Sequence, residues 1–439
     1  MANVLIISGS YFPYATANAV CVKKFEDVLK SHGHKVIYCN RKHDLYEPDY
    51  HIYEGTELYT VGKNSDLFFQ TIQKLNGLSL PNNMQGCFAL SNRIFRILMK
   101  LRNIGKNKSR LRETASDFYI NQYAERIASI IEKENIDVIM SVSMPFDSHK
   151  AALKAINKLK SEQKKTPKWI AYCIDAYSNN EGTREQEKRI KEIEEVFIFE
   201  QCDRVIFLEP LKKDYETDIF NTVKDKFCFL PLPTFEIAFI DNDPALVKQN
   251  NEHNAKIKCI YAGTLYDGFR NIDGLIRLMT SLKSDNIEFH FYGKIYPKTQ
   301  QKLSGVISTS SNNIFIHGLV SYDEILREIT HADVFINLAN DNETQIPSKI
   351  FEGISNKKPM INIYSNPKDI GTQYLLKYPL ACNICVRDMH DDTITNVKTW
   401  LENSRNLTIS NEQLSLIYRD VLSEKVKTSF YDIFEDVIS

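Results

Sequence analysis

Glu343-Thr344-Gln345-Ile346-Pro347-Ser348-Lys349-Ile350-Phe351-Glu352-Gly353, followed by Lys358-Pro359-Met360-Ile361, reads as a loop that turns into a helix and then a strand. Pro347 suits the first helical position, where a missing N–H costs nothing. Ser348, Lys349 and Glu352 then fall in the first two turns. Lys349 and Glu352 are three apart and share a face. The free N–H groups and dipole of a helix start favour an anion. One cation, one carboxylate and a helix start together suit a ligand with phosphates and hydroxyls, such as a nucleotide-sugar.

Outward from this stretch, short β-rich runs alternate with helical patterns, the signature of βαβ units. Val4–Ile7 is a strand, Gly9–Thr16 a loop and Ala19–Leu29 a helix closed by Gly33-His34. Lys35–Cys39 is the second strand. The pattern recurs with strands at Asp137–Val142, Trp169–Ile174 and Arg204–Leu208, and helices at Asp147–Leu159 and Gln186–Glu200. Pro231-Leu232-Pro233-Thr234 and the polar run Asp241–Ala255 interrupt it and read as a linker. It restarts with strands at Lys256–Tyr261, Ile287–Tyr292, Ile314–His317, Val334–Leu338 and Pro359–Ile363. Helices fall at Ile272–Leu282 and Asp323–Thr330, and the tail Asn396–Ser439 is helical. The fold expected is α/β: two doubly wound Rossmann-like domains facing each other across a cleft. Ligands in such sheets bind beyond the carboxyl ends of the strands.

The boundaries expected are 1–235, with an insertion at about 44–116, then 236–410. The helices of 411–439 are placed to pack back on the first domain. A chain of 439 residues suits two domains. Its 43% apolar and 25% charged content is that of a folded protein, and its net charge of −1 supplies no global field toward nucleic acid. The start Met1–Ser8 has no basic region or cleavage site of a secretory signal, and no run approaches the roughly 18 apolar residues of a spanning helix. The expectation is a cytoplasmic protein, soluble or peripheral on the inner face of the plasma membrane.

Nine scattered cysteines fit reduced, mostly buried thiols. Cys382 and Cys385 form a CxxC, but on an apparent strand they point to opposite sides, so no metal is expected. Within the insertion, residues 93–112 carry eight Lys and Arg, no acidic residue, and interleaved apolar side chains. Two readings stand: an amphipathic helix docking on an anionic membrane surface, or a solvated helix covering the first domain.

The strand Lys256–Tyr261 runs into Gly263-Thr264-Leu265-Tyr266-Asp267-Gly268-Phe269-Arg270. Its GxxxxG spacing lacks the Gly-Lys-Ser/Thr that a P-loop needs. Gly263 permits close approach of a ligand to the backbone. Arg270 offers a fork of donors suited to a diphosphate, or is a surface arginine at a helix start.

The ordered set Gly263-Thr264-Leu265 with Arg270, Phe291-Tyr292-Gly293, His317-Gly318-Leu319-Val320, Ala332-Asp333-Val334, Pro347-Ser348-Lys349…Glu352 and Lys358-Pro359 resembles the donor domain of family-4 retaining glycosyltransferases. These have the two-domain GT-B fold. The first half resembles them more loosely, through Tyr11-Phe12-Pro13, Gly33-His34-Lys35-Val36 and Cys202-Asp203-Arg204-Val205. The resemblance implies a nucleotide-sugar donor, UDP- or GDP-linked, with no metal or other cofactor required. Arg270 and Lys349 would bind the diphosphate, and Glu352 the ribose. Gly263, Thr264, Gly293 and Ser348 would line the groove, and the backbone at Gly318–Val320, including Leu319 and Val320, would face the base. Two departures stand out. The family often carries a second glutamate eight before Glu352, where this chain has Thr344. It often carries Gly-Gly in the first loop, where this chain has Ala15-Thr16-Ala17-Asn18-Ala19.

Ala17, Asn18 and His149 are expected on the acceptor side; for His149 a packed helix histidine is the alternative. Asp175, after the strand Trp169–Ile174, could orient the acceptor hydroxyl or take its proton, or be a helix cap or loop carboxylate. His34 reads as structural. The implied reaction is retaining transfer to a saccharide or lipid-linked acceptor in surface polysaccharide or glycolipid synthesis. The alternatives are an inverting transferase, a sugar-nucleotide epimerase, or a non-catalytic transferase-like partner.

Overall fold

The structure is a computed structural model. It describes residues 1–9, 17–42, 47–62, 117–180, 183–237, 256–265, 272–282, 286–307, 313–340, 343 and 349–439. The loop 10–16, the basic run 93–112, the polar run 241–255, Arg270, Thr344, Pro347 and Ser348 lie outside these. The chain divides into two compact units, Met1–Pro231 with Lys427–Ser439, and Leu232–Val426.

The first unit holds an eight-stranded sheet. Its strands are β1 (Asn3–Ser8), β2 (Lys35–Arg41), β3 (Tyr50–Tyr53), β4 (Thr56–Val61), β5 (Val138–Ser143), β6 (Lys168–Cys173), β7 (Arg204–Leu208) and β8 (Phe227–Leu230), in the order β3-β4-β2-β1-β5-β6-β7-β8. All neighbours pair in parallel except the hairpin β3–β4. The central strands are continuous apolar runs because helices cover both faces of a parallel sheet. In β1, Val4 to Ile7 are fully buried.

Residues 50–61 fall inside the segment expected as an insertion. They instead carry on the sheet as β3 and β4. The positive φ angles of Glu54 (47°) and Gly55 (75°) make the tight turn between them. The helix Asp117–Lys133 and the strand β8 were likewise not expected. Tyr123 of that helix donates from one hydroxyl toward the carbonyls of Ser8 and Cys39, both at 2.7 Å.

The second unit holds an all-parallel six-stranded sheet. Its strands are β9 (Ile257–Ala262), β10 (Ile287–Tyr292), β11 (Ile314–Gly318), β12 (Val334–Leu338), β13 (Met360–Tyr364) and β14 (Ala381–Cys385). Their order is β11-β10-β9-β12-β13-β14. Counted from β9 this is 3-2-1-4-5-6, the doubly wound arrangement, with the winding reversed between β9 and β12. On one face Leu275, Leu278 and Met279 pack against Ile336, Leu338, Ile361 and Ile363. On the other, a polar rung crosses three strands in register: Asn337 Nδ2 donates to Asn362 Oδ1 at 2.8 Å, and Asn362 Nδ2 to Asn383 Oδ1 at 2.9 Å.

The helical tail is three helices, Asp391–Asn403, Asn411–Tyr418 and Ser423–Ile438. Tyr418 stays with the second unit, edge-on to Phe235 and bonded to the Tyr374 carbonyl at 2.9 Å. From Lys427 the last helix belongs to the first unit. Phe430 is fully buried and stacks on Phe25 at 4.0 Å between centroids, 7° from parallel. His34 is buried: its Nδ1 accepts from the Ala2 N–H at 3.0 Å, and its Nε2 lies 3.3 Å from the Tyr431 hydroxyl. Phe430→Ala is expected to destabilise the first unit by about 3–5 kcal/mol, the cost of emptying a buried aromatic site. Denaturant unfolding followed by circular dichroism measures this; a loss below about 1 kcal/mol would show that the last helix is not part of that core.

Candidate functional site

In a doubly wound sheet the two crossovers part where the strand order reverses, leaving a crevice beyond the strands' carboxyl ends. In the second unit that place lies past β9 and β12. Gly263 and Thr264 follow β9, and the helix Lys349–Ser355 is the next described element after the end of β12 apart from Glu343. Gly263, Thr264 and the helix of Lys349 therefore share one edge of one sheet.

The exits of β9, β10 and β11 are zipped together. Gly263 N donates to Tyr292 O at 2.9 Å, Leu265 N to Lys294 O at 2.9 Å, Tyr296 N to Leu265 O at 3.0 Å, and Gly293 N to Gly318 O at 2.7 Å. Gly293 sits at φ +123°, and a Cβ on it would lie 2.2 Å from the Gly263 carbonyl oxygen. Any side chain there would push the two exits apart. Gly293 thus has a role beyond lining a groove: it lets two strand ends close on each other. Leu319, next in line, is 78% exposed, and Val320 is half-buried. Ser321 caps the following helix, Tyr322–His331, by accepting from Glu324 N at 3.2 Å.

Lys349 and Glu352 meet as their spacing predicts: Nζ lies 2.6 Å from Oε1. Both side chains are only partly exposed, and Glu352 Oε2 is buried with no hydrogen-bond partner among the described residues. Burial raises the Glu352 carboxyl above its usual range, against the pull of Lys349. The result is a cation held in place by one carboxylate oxygen while the other oxygen remains an unfilled acceptor. A buried acceptor left open costs about 1–3 kcal/mol. Arg270, Thr344 and Ser348 lie outside the described residues.

One feature of this sheet was not read from the sequence. Phe315, His290, His317 and Tyr292 form a column of stacked rings across β10 and β11, with centroids 4.7, 5.2 and 4.2 Å apart. His290 Nδ1 lies 3.0 Å from His317 Nε2, and the Tyr292 hydroxyl donates to Glu328 at 2.9 Å. The signal was present as aromatic rings two apart on each of two adjacent strands.

In the first unit the winding reverses between β1 and β5. Gly9, after β1, touches the ring of Pro145, after β5; a Cβ on Gly9 would lie 2.1 Å from Pro145 Cδ. Ala17 begins the helix Ala17–Ser31, and Asn18, half-buried, is its second residue. Asp175 lies two residues past β6 in a loop. It caps no helix, since the next helix, Glu185–Phe199, has Arg184 at its cap. Burial raises its carboxyl, and it has no hydrogen-bond partner among the described residues.

His149 is a correction. It is fully buried, its Nδ1 2.7 Å from Ser141 Oγ and its Nε2 3.6 Å from Cys173 Sγ. The Trp169 indole donates to the same Ser141 oxygen at 2.7 Å, so the hydroxyl hydrogen is left for His149 Nδ1. Burial lowers its pKa to about 3. A neutral imidazole enclosed in this way cannot face an acceptor; it is a core histidine. The CxxC lies on β14 as expected, with burial pushing Cys382 up to about 11.

No protein-family model matches the sequence, and no curated protein matches it. Solved structures do. Sucrose-phosphate synthase from Thermosynechococcus elongatus has a TM-score of 0.63 at 13% identity, over 100% of this chain and 99% of that one. The lipopolysaccharide outer core galactosyltransferase WaaB, in its apo form, has a TM-score of 0.56 at 9% identity, over 99% of each chain. Anabaena HepE in complex with UDP-glucose has a TM-score of 0.57 at 8% identity, over 99% of this chain and 100% of that one. At such identities the likeness is one of fold. Two α/β domains with these neighbours define the GT-B architecture.

Gly293→Ala tests the exit geometry. It is expected to cost the second unit about 2 kcal/mol or more, since alanine is both strained at that φ and in collision with backbone. Its denaturation midpoint should fall accordingly. An unchanged midpoint would contradict the close contact between Gly293 and Gly263.

Proposed function

We propose that the chain is a retaining glycosyltransferase of the family-4 type. It would move a sugar from a UDP- or GDP-linked donor to a saccharide or lipid-linked acceptor. The observation that carries this reading is the Lys349–Glu352 pair at the carboxyl edge of the second sheet. It combines a fixed cation with an open buried carboxylate oxygen. A diphosphate needs the first and a ribose hydroxyl the second. HepE, of the same fold, holds UDP-glucose, and WaaB is a galactosyltransferase of lipopolysaccharide. They support the donor and acceptor classes by analogy of fold.

In this mechanism the bond from anomeric carbon to diphosphate breaks early, leaving an oxocarbenium-like sugar. Lys349, with Arg270 from the sequence that follows β9, offsets the charge growing on the departing nucleotide. The acceptor hydroxyl attacks the same face of the sugar. Its proton passes to the leaving phosphate, with Asp175 orienting the hydroxyl or sharing that proton. Glu352 holds the ribose, Thr264, Gly263, Gly293 and Ser348 border the donor, and backbone near Leu319 and Val320 meets the base. Thr344 takes the place of the family's first glutamate near the donor sugar. Ala17 and Asn18 belong to the acceptor side. The basic run 93–112 would tether the protein to an anionic inner membrane face. No helix among the described residues is long and apolar enough to cross a membrane.

Lys349→Ala is expected to reduce sugar transfer by about 100-fold or more with circular dichroism unchanged, the scale of losing one charge-stabilising donor. The donor is found by a thermal-shift panel of UDP-, GDP- and ADP-sugars, because a ligand of the native state raises the melting temperature. Near-normal turnover in the alanine variant would sink the assignment of Lys349. Inverted anomeric configuration in the product would replace the retaining reading with the inverting one.

A further inference from the structure

Glu195 is a carboxylate with no exposure, on the helix Glu185–Phe199 of the first unit. Its Oε1 accepts from the Tyr215 hydroxyl at 2.6 Å and from the Ser178 N–H at 3.4 Å. Its Oε2 has no hydrogen-bond partner among the described residues. Enclosing a carboxyl in this way is costly, and an apolar side chain in its place would leave the Tyr215 hydroxyl and the Ser178 N–H without their acceptor. What the acid does is hold a loop.

That loop follows β6, is described at residues 174–180 and 183–184, and carries Asp175. Two other side chains of the same helix grip it. Glu194 accepts from the Tyr177 hydroxyl at 2.9 Å. Lys191, itself buried, donates to Thr183 Oγ1 at 3.0 Å and lies 4.8 Å from the centre of the Tyr177 ring. Tyr177 also stacks on Phe146 at 4.0 Å, 2° from parallel. These are side-chain contacts. Glu195 bonds the loop's main chain, at Ser178, three residues past Asp175.

We infer that Glu195 is the positioning residue of the acceptor-side loop: by clamping the Ser178 main chain against Tyr215, it sets where the Asp175 carboxyl stands. The inference rests on the acceptor-side role proposed for Asp175, but the clamp itself does not. Burial pushes the Glu195 carboxyl up to about 7, while hydrogen bonds from Ser178, Tyr215 and the main chain at Tyr177 oppose the rise. The titratable groups around it are Cys173 from β6, Tyr215, and Tyr177 in the loop, with Lys191 and Glu194 on its own helix. An acid with a raised folded pKa binds its proton more tightly folded than unfolded. Stability from this group is therefore present at low pH and is lost as pH rises through the folded value. Loop anchoring and acid–base state are linked near neutrality.

The test uses the full chain as wild type, Glu195→Gln, Glu195→Leu and Tyr215→Phe. Hydrogen exchange at Tyr177 and Ser178 is read at pH 6 and pH 8, corrected for intrinsic rates. Glu195→Leu is expected to speed exchange there at least tenfold, with UDP affinity by calorimetry unchanged within twofold. Glu195→Gln keeps an oxygen for Tyr215 and Ser178 and should retain protection. Relative to wild type, the glutamine variant should gain stability between pH 5 and pH 8. With UDP-glucose as the donor probe, it should also lose a limb of the kcat–pH profile near pH 7 with its KM unchanged. Should the leucine variant fail to fold, Tyr215→Phe, expected to loosen the same two amides, takes its place. Unchanged exchange in Glu195→Leu or Tyr215→Phe would overturn the clamp. A Glu195→Gln profile identical to wild type would reduce Glu195 to a structural group. Full turnover in Asp175→Ala, with the loop still protected, would remove the role of Asp175 and leave the clamp standing.

Discussion

A parallel sheet can be wound only by crossovers that return to the same starting edge, so every strand leaves at the opposite one. All six strands of the second sheet obey this constraint, and the candidate site depends on it. It gathers Gly263, Gly293, Gly318 and the helix of Lys349 at one border although they span more than eighty residues of sequence. The contact of Gly293 with the Gly263 carbonyl then closes that border to within the width of a backbone. A side chain at Gly293 would separate the exits.

The interiors carry buried polar groups, and these differ in how each is satisfied. The rung Asn337–Asn362–Asn383 is bonded across three strands in register. Slipping any strand by one residue would break it, so it resists a wrong register. His149 is likewise fully engaged, between Ser141 and Cys173. Glu352 and Glu195 differ. Each has one oxygen bonded and one left open, and burial raises both carboxyls. A buried group left half satisfied is a cost the fold carries. For Glu352 the open oxygen lies beside a cation at the sheet edge, and for Glu195 the bonded oxygen holds the loop of Asp175.

The periodic parts of the fold were legible because burial on both faces forces continuous apolar runs, and Val4–Ile7, Trp169–Ile174 and Val334–Leu338 are such runs. The hairpin of β3 and β4 was not. Tyr50, Ile52 and Tyr53 are partly exposed on an edge strand, so their pattern does not alternate cleanly. The helix Asp117–Lys133 directly follows the segment read as an insertion. At the site, the Lys349–Glu352 pairing follows from helical spacing alone. Asp175 could be placed at a strand exit, but not distinguished from a helix cap. His149 has the same polar side chain whether it faces solvent or core, and only the packing of Phe146, Trp169 and Cys173 around it decides.

Local patterning by itself determined two α/β halves, their order, and a cation and carboxylate sharing one helical face, because each depends on neighbours in sequence. Tertiary structure alone decided which of two polar residues is buried, that Glu352 keeps an open oxygen, that Gly293 must lack a side chain, and that Glu195 holds a loop rather than solvating a helix. These depend on atoms far apart in the chain being brought within a few ångströms. Glu194 and Glu195 make the point. They are adjacent and chemically alike, yet one reaches a half-exposed ion pair with Lys150 and the other a sealed pocket beneath Tyr215. The helix turns about 100° between them, and what each then meets is set by the sheet.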